Sequence, residues 1–184
     1  SVDIDYCSGV SNNFLWSIKM KNGTDFKVEV KQIPDMPVVY IRNIGPYKGD
    51  EALFGRLFGR LFQWAGARGL ISEETKCISV YHDDPSVTED SKLRLDVCLT
   101  VPPGTAVDGE VGKAVISGGS YAVSHFEILP HQYEDAWAGI CGSWLPASGY
   151  LPDDRPCFEV YLNSPKDHPE GKHIVDIYLP VKPL

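Results

Sequence analysis

The 184-residue chain has no long hydrophobic stretch, because its uncharged apolar runs fall far short of the roughly 20 residues that a membrane helix needs. Its first residues, SVDIDYCSG, lack the basic start and apolar core of a signal peptide. Positive charge is scarce, with 17 lysines and arginines against 25 aspartates and glutamates and a net charge of −8. Since phosphate binding needs a basic surface, this balance argues against nucleic acid as the main partner. We expect a cytoplasmic protein.

Motifs for metals, phosphates and disulfides are also missing. The five cysteines form no C-x-x-C pair and no zinc-like cluster with histidine, so we expect free thiols, no metal site and no cofactor. Gly118-Gly119 precedes a predicted strand instead of opening a helix, which argues against a phosphate-binding loop. His82, His125 and His131 are scattered, and no histidine is placed to activate Cys157 as a nucleophile.

The chain contains an internal repeat. When the sequence is shifted by 80 residues, 13 identical pairs appear over positions 59–103 without a gap, among them Trp64/Trp144 and Tyr81/Tyr161. Chance would give about three from background composition. We therefore predict two copies of one supersecondary unit.

The first copy reads as strand, helix, strand, strand. Its β-branched and alternating stretches predict strands at Val38–Ile44, 77–82 and 93–101. Between the first two strands, Asp50 is a candidate cap for an amphipathic helix with apolar residues at Phe54, Leu57, Phe58, Leu61 and Ala65. Gly55 and Gly59 inside this helix predict a close packing contact.

The second copy repeats the order, with strands at Tyr121–Phe126, Cys157–Leu162 and Ile174–Val181 and a helix from about His131 to Trp144. Successive strands favour hairpins, so we predict an α+β fold: a duplicated β-α-β-β unit whose antiparallel sheet carries helices on one face. Phe26–Ile33 alternates like a strand at the sheet edge, and residues 1–27 are expected to be a flexible lead-in or the stub of a preceding domain.

Strand alternation sorts the side chains into two faces. One face is apolar and should pack under the helices, and it includes Ile78, Val80, Leu95, Val97, Leu99, Phe158, Val160, Val175, Ile177 and Leu179. The other mixes rings, thiols and acids, and it includes Tyr81, Asp96, Cys98, Cys157, Glu159, Tyr161, Asp176 and Tyr178. A cleft for a small molecule would account for such a mixed face.

Glu159 is the acid that the repeat does not require, since its counterpart in the first copy is Ser79, whereas Asp96 and Asp176 are counterparts of each other. Between Phe158 and Val160 its charge would be partly desolvated, and a cationic ligand could offset that cost. An exposed glutamate, or one paired with Arg94 or Arg42, is the alternative that the spacing leaves equally open.

At these residues the chain resembles the GyrI-like, or bacterial effector-binding, family, whose members occur alone and as C-terminal domains of AraC-type and MerR-type regulators. The matching stretches extend over residues 28–183 and are VVYIRNIGPYKG, LFGRLFQWA, SVYHDDP, KLRLDVCLTVP, ISGGSYAVSHFE, PCFEVYLNSP and DIYLPVK. The resemblance implies one domain over 28–184, with pseudo-repeats at about 28–103 and 115–183 and a cleft between the halves.

The resemblance also implies that the cleft binds lipophilic, often cationic, compounds. Glu159 corresponds to the acid that is the usual cation partner, and the further ligand-binding residues that it implies are Tyr161, Tyr178, Trp137, Tyr47 and Asp176. DNA would be reached only through a separate domain. The resemblance leaves three roles open: a binding or sensing module, which we favour; a hydrolase of cyclopropane-type toxins with Glu159 as its acid or base; and a topoisomerase-protecting interaction protein.

Overall fold

The computed structural model describes residues 4–7, 15–18 and 25–184. In these residues the chain forms eleven strands: β1 (Ile4–Cys7), β2 (Leu15–Ile18), β3 (Phe26–Ile33), β4 (Met36–Ile44), β5 (Cys77–Tyr81), β6 (Arg94–Thr100), β7 (Gly112–Ile116), β8 (Gly119–Ile128), β9 (Tyr150–Pro152), β10 (Cys157–Tyr161) and β11 (His173–Pro183). The α-helices are α1 (Glu51–Gly66), α2 (Tyr133–Ala138) and the single turn α3 (Leu145–Ala147). The strands and helices confirm the predicted α+β class.

The chain divides into two compact units. The middle unit consists of Asp35–Ser117 and Pro156–Val160. The terminal unit consists of Gly118–Arg155, Tyr161–Leu184 and the described part of Ser1–Pro34.

In the middle unit the strand order is β10-β5-β6-β4-β7, and the pairs β5–β6, β6–β4 and β4–β7 are antiparallel. Helix α1 begins where predicted, because the carboxylate of Asp50 accepts a hydrogen bond from the backbone N–H of Leu53 at 3.0 Å. The helix packs Leu57, Leu61 and Ala65 onto the sheet, in a core shared with the following buried residues: Val39, Ile41, Tyr47, Leu93, Leu95, Val97, Leu99 and Val111.

Two details of this unit differ from the sequence-based expectation. Gly55 and Gly59 do not lie at a close contact, since a Cβ atom at either position would meet nothing within 4 Å. The assignment of faces was also wrong for β5: Tyr81 lies opposite Leu95, and Val80 lies opposite Asp96. Directly opposed residues of antiparallel strands project to the same face, so Tyr81 is on the face that packs against α1 and Val80 is on the other.

In the terminal unit the strand order is β1-β2-β3-β8-β11, with β9 added to the end of β11. The strand predicted at Phe26–Ile33 has those bounds but is not at the edge, since β2 pairs with one side of it and β8 with the other. Strands β1 and β2 lie in the segment that we expected to be a lead-in. The core of this unit contains Ile18, Phe26, Val28, Phe126, Ile140, Trp144, Val175 and Ile177.

The second predicted helix is less regular than the first. After α2 the chain continues as a π-helical segment, Gly139–Trp144, which leads into α3. Along these segments Ala136, Ile140 and Trp144 are buried, whereas Cys141 is exposed. None of the helices in the described residues combines the length and the hydropathy that crossing a membrane requires.

One pair of strands has the 80-residue spacing of the predicted duplication. Strands β5 and β10 have the same length and begin 80 residues apart, at Cys77 and Cys157, and both have half-buried ends around three buried residues. The duplication itself stays a prediction, as does the cleft between the halves.

Candidate functional site

A buried acid lies in the middle unit. Glu159 is the central residue of β10, and only 3% of it is exposed. Its neighbours Phe158 and Val160 are also buried, and strand alternation directs them to the opposite face. The sequence pattern CFEVY therefore holds a carboxyl group inside the protein, where its charge is poorly hydrated.

Tyr81 contacts this acid directly. The phenol of Tyr81, the last residue of β5, donates a hydrogen bond to Oε2 of Glu159 at 2.9 Å. Two further rings pack next to that phenol. The centre of the Tyr47 ring is 5.4 Å from the centre of the Tyr81 ring, and Phe54 packs edge-on against Tyr47 with 6.4 Å between ring centres. We call Glu159, Tyr81, Tyr47 and Phe54 the acid–aromatic cluster.

The pKa of Tyr47 shows that the cluster is largely shielded from water. Burial, followed by the negative charge of Glu159, raises the pKa of Tyr47 to about 12. The Tyr47 phenol is consequently neutral at physiological pH, and its ring is available as an uncharged wall beside the acid. A neutral aromatic ring next to a buried carboxylate can contact the apolar part of an organic cation while the carboxylate lies close to its positive charge.

The two arginines that could have paired with Glu159 are engaged with other acids. Arg42 binds Asp96 through two hydrogen bonds of 2.7 and 2.9 Å, and Arg94 binds Asp83. Asp96 also lies 2.7 Å from Nε2 of His82. The alternative of an exposed glutamate is wrong, because Glu159 is buried.

Two of the predicted site residues share a face of β11 in the terminal unit. Asp176 lies opposite His125 on β8, and its Oδ1 atom is 2.7 Å from Nδ1 of His125. Tyr178 packs edge-on against Tyr121, with 6.1 Å between ring centres, and burial followed by the charge of Asp176 raises the pKa of Tyr178. Asp176 thus has a cross-strand basic partner, as its repeat counterpart Asp96 does.

The structure brings together Glu159 and Tyr47 of the six residues predicted for ligand binding. Tyr161, the last residue of β10, and Trp137, on α2, are both half-buried and belong to the terminal unit with Asp176 and Tyr178. Sequence reasoning missed Tyr81 as a neighbour of the acid. The repeat held a signal for it, since Tyr81 is the counterpart of Tyr161, which was selected.

Metal ligation gains no support from the side-chain arrangement. Over the residues that the structure describes, no group of three or more histidine, cysteine, aspartate and glutamate side chains is arranged to hold a metal ion. The chemistry that the acid–aromatic cluster offers is that of a carboxylate, two phenols and a phenyl ring.

Known proteins with similar sequences extend over most of the chain. A protein from Edwardsiella piscicida named DNA gyrase inhibitor is 30% identical over 161 residues, which cover 85% of this chain and 98% of that protein. A Yersinia enterocolitica protein with the same name is 32% identical and covers 85% of this chain and 97% of its own length.

Solved structures share the fold at lower identity. The crystal structure of the EcmrR C-terminal domain matches 86% of this chain and 99% of its own with a TM-score of 0.73 at 20% identity. The structure of SAV2435 bound to tetraphenylphosphonium matches 84% of this chain and 93% of its own with a TM-score of 0.57 at 16% identity. The model of the GyrI-like small molecule binding domain matches residues 26–182, and this chain therefore belongs to that family.

Proposed function

We propose that this protein binds lipophilic organic cations and that Glu159 receives their positive charge. The observation that carries the proposal is the burial of the Glu159 carboxyl group beside Tyr81 and Tyr47. Membership of a small-molecule binding family and a fold shared with a tetraphenylphosphonium-bound protein support it.

The energetics favour a cation over a neutral ligand. Removing a carboxylate from water costs several kcal/mol, and hydrogen bonds offset only part of that cost. A positive charge about 4 Å away would contribute roughly 4 kcal/mol at an effective dielectric constant near 20. Contact with the rings of Tyr81 or Tyr47 would add about 0.5–2 kcal/mol for a cation close to the ring face.

The cluster also favours ligands that carry apolar groups. Tyr47 is 8% exposed, and Phe54 packs against it, so a strongly hydrated ion such as an ammonium would lose its water without a matching set of donors and acceptors. A cation whose charge is spread over aromatic groups loses less hydration and gains apolar contact. We propose Tyr161, Tyr178, Trp137 and Asp176 as further ligand contacts, each to be tested by its own substitution.

The test compares a cation with a neutral analogue in two matched variants. Isothermal titration calorimetry would measure the affinity for tetraphenylphosphonium, rhodamine 6G and the uncharged triphenylphosphine oxide. Glu159→Gln keeps the shape and the acceptor for Tyr81 but removes the charge, while Glu73→Gln removes one charge from an exposed position. We expect Glu159→Gln alone to weaken cation binding by tenfold or more. Equal cation affinity in all three proteins would refute the role of Glu159.

The biological setting that we propose is a ligand-sensing or ligand-sequestering domain in the cytoplasm. The fold match to the EcmrR C-terminal domain supports a sensing role, in which DNA is contacted by a different domain. The cysteines whose side chains are described, Cys77, Cys98, Cys141 and Cys157, are all free thiols, which suits a reducing compartment.

Inhibition of a type II topoisomerase is a second candidate function. It is favoured by the match over nearly the full length of relatives named DNA gyrase inhibitor. A supercoiling assay with purified gyrase would test it, with Glu159→Gln included. Inhibition that survives this substitution would assign the activity to a surface other than the acid–aromatic cluster, and no inhibition at micromolar protein would reject it.

Hydrolysis of a strained ring is the enzymatic alternative, and the Tyr81–Glu159 hydrogen bond is the feature that favours it. A buried carboxyl group next to a phenol can exchange a proton with a water molecule or a leaving group. Incubation with a cyclopropane-containing toxin, followed by mass spectrometry, separates turnover from binding. Product in excess of the protein that disappears in Glu159→Gln would establish catalysis, whereas at most one product molecule per protein would reject it.

A further inference from the structure

The core of the terminal unit contains an aromatic cluster unrelated to Glu159. Trp144, the last residue of the π-helical segment, is fully buried. Its ring is stacked on Tyr150 at 6.1 Å with 21° between the planes, and it meets the ring of Trp16 edge-on at 5.4 Å. Trp16 and Tyr150 also contact each other, at 6.3 Å. Each of the three rings therefore packs against the other two.

Two polar atoms in this core have no hydrogen-bond partner among the described residues: Nε1 of Trp144 and Oγ of Ser124. Both are inaccessible to bulk solvent, and Ser124 is fully buried. Buried donors and acceptors in folded proteins nearly always have a partner, because leaving one unmade forfeits its hydrogen bond to water without a replacement. Two such atoms in one core point to a shared cause.

The strand register places Ser124 on the same face as the rings. Trp16 on β2 lies opposite Val28 on β3, and Val28 lies opposite Ser124 on β8. Directly opposed residues share a face, so Trp16, Val28 and Ser124 form one row across the sheet. Neighbouring strands are about 4.8 Å apart, which separates Ser124 from Trp16 by about 10 Å, a span that the long indole side chains can cover.

The chemistry of the two atoms is complementary to one neutral oxygen. An indole N–H can only donate, while a serine hydroxyl can both donate and accept. The surrounding Val28 and Ile177 are apolar and fully buried, so a charged guest would be costly. A water molecule can accept from Trp144 and exchange a hydrogen bond with Ser124, and buried waters typically satisfy polar groups of this kind.

We infer that the core of the terminal unit contains an internal site for one buried water molecule, formed by the indole N–H of Trp144 and the hydroxyl of Ser124. The π-helical segment is part of this site, since Trp144 is its last residue. Such segments occur frequently at functional positions. The site is independent of Glu159 and of the proposed cation binding.

NMR spectroscopy of the ¹⁵N-labelled protein tests the site. We expect the indole proton of Trp144, assigned with Trp144→Phe, to show a nuclear Overhauser effect to a long-lived water molecule. Ser124→Ala should abolish this cross-peak while the indole proton of Trp144 keeps its slow exchange with bulk water. Trp64, whose indole N–H donates to Asp108 at 2.8 Å on the surface, provides the reference for contact with bulk water. Absence of the cross-peak in the wild type, or its survival in Ser124→Ala, would overturn the inference.

A crystal structure and native mass spectrometry complete the test. Density for a single water oxygen within hydrogen-bond distance of both atoms supports the site. A small molecule that co-purifies with the protein and occupies this position with its own oxygen atom would overturn the assignment to water. If Trp144→Phe does not fold, triple-resonance spectra assign the indole proton of Trp144, and Ser124→Ala still decides the outcome, since it changes one small side chain.

Discussion

The phenolic oxygen of Tyr81 lies 2.9 Å from Oε2 of Glu159, and the two residues come from different copies of the predicted repeat. The counterpart of Glu159 in the first copy is Ser79, and the counterpart of Tyr81 in the second copy is Tyr161. An acid at only one of the two equivalent positions makes the arrangement asymmetric. Such an asymmetry is what distinguishes a site residue from one required by the repeated fold.

The first prediction concerns the strength of this hydrogen bond. Tyr81→Phe should lower the free energy of unfolding at pH 7 by about 2 kcal/mol, because a bond to a buried charged group contributes about 1.5–3 kcal/mol. In the Glu159→Gln background, where the acceptor is neutral, the loss should be about 1 kcal/mol. Urea denaturation of the four proteins gives the double-mutant cycle. The same loss in both backgrounds would mean that the phenol does not stabilise the charge of Glu159.

The second prediction concerns the titration of Tyr47, whose pKa of about 12 is caused by burial and, to a smaller extent, by Glu159. Because the pKa in the folded protein exceeds the value of about 10 in the unfolded chain, its contribution to stability is complete below pH 10 and is lost as the pH rises towards 12. Absorbance at alkaline pH should therefore show a tyrosine step near pH 12 that disappears in Tyr47→Phe.

Glu159→Gln serves as the second arm of that titration. It should move the Tyr47 step to lower pH but leave it above 10, since burial, the larger cause, is unchanged. A step that stays at the same pH in Glu159→Gln would show that the carboxylate is too far away or too well hydrated to act on Tyr47. Tyr178→Phe is the control, because its raised pKa depends on burial and Asp176 instead.

The sequence predicted the fold better than the faces of the sheet. The β-branched runs and the Asp50 cap placed strands and helix α1 to within a few residues, because these signals are local. The face of β5 that packs against the helix is determined by the register between β5 and β6. Burial along β5 does not reveal this face, because the strand is buried on both sides, at Ile78, Ser79 and Val80. Alternation in one strand cannot reveal a register that is set by another.

The same limit applies to the candidate site. The repeat isolated Glu159 because Ser79 replaces it in the other copy. The spacing left burial and exposure of Glu159 equally open, and the structure shows that it is buried. The contact with Tyr81 is between side chains 78 residues apart, which no local pattern encodes. The irregularity of the second helix was missed for a related reason: Trp144, which ends the wider turn at Gly139–Trp144, packs against Tyr150 and Trp16, and these contacts lie outside the local sequence pattern.

The third prediction concerns stability in acid. Burial raises the pKa of Asp96, but the hydrogen bonds from Arg42 and His82 outweigh it, so this pKa lies below its usual range. A depressed pKa contributes stability above the unfolded value near 4, and the contribution is lost as the pH falls through the lower folded value. Asp96→Asn should remove about 2 kcal/mol at pH 7, less than for a fully buried pair because 36% of the Arg42 side chain is exposed.

Denaturation from pH 7 to pH 2 measures this effect, and the curves of Asp96→Asn and the wild type should converge in acid. Asp176→Asn is the matched control, since Asp176, the repeat counterpart of Asp96, lies 2.7 Å from Nδ1 of His125, whose side chain is 62% exposed. Its loss should be below about 1 kcal/mol. Parallel curves for wild type and Asp96→Asn across the whole range would show that Asp96 is not the group that titrates.

The last prediction concerns Gly119 and Arg155. The Arg155 guanidinium lies 4.4 Å from the centre of the Tyr121 ring and donates to the carbonyl oxygens of Gly118 and Ser120 at 3.1 and 2.9 Å. Gly119 lies between these two carbonyls with φ of +135°, and a Cβ atom there would be 2.5 Å from Nη1 of Arg155. Gly119→Ala should therefore cost more than 2 kcal/mol, from backbone strain of about 1–2 kcal/mol plus the displaced guanidinium.

Gly104→Ala separates these two causes, because Gly104 also has a positive φ, of +79°, but faces open space. It should cost only the backbone strain, about 1–2 kcal/mol. In the Arg155→Ala background the cost of Gly119→Ala should fall towards the backbone strain alone, because the three atoms nearest to the added methyl group all belong to the Arg155 side chain. Urea denaturation of these variants measures each difference. If Gly119→Ala costs the same with and without the Arg155 side chain, the glycine is required by its backbone conformation alone, and the guanidinium does not constrain it.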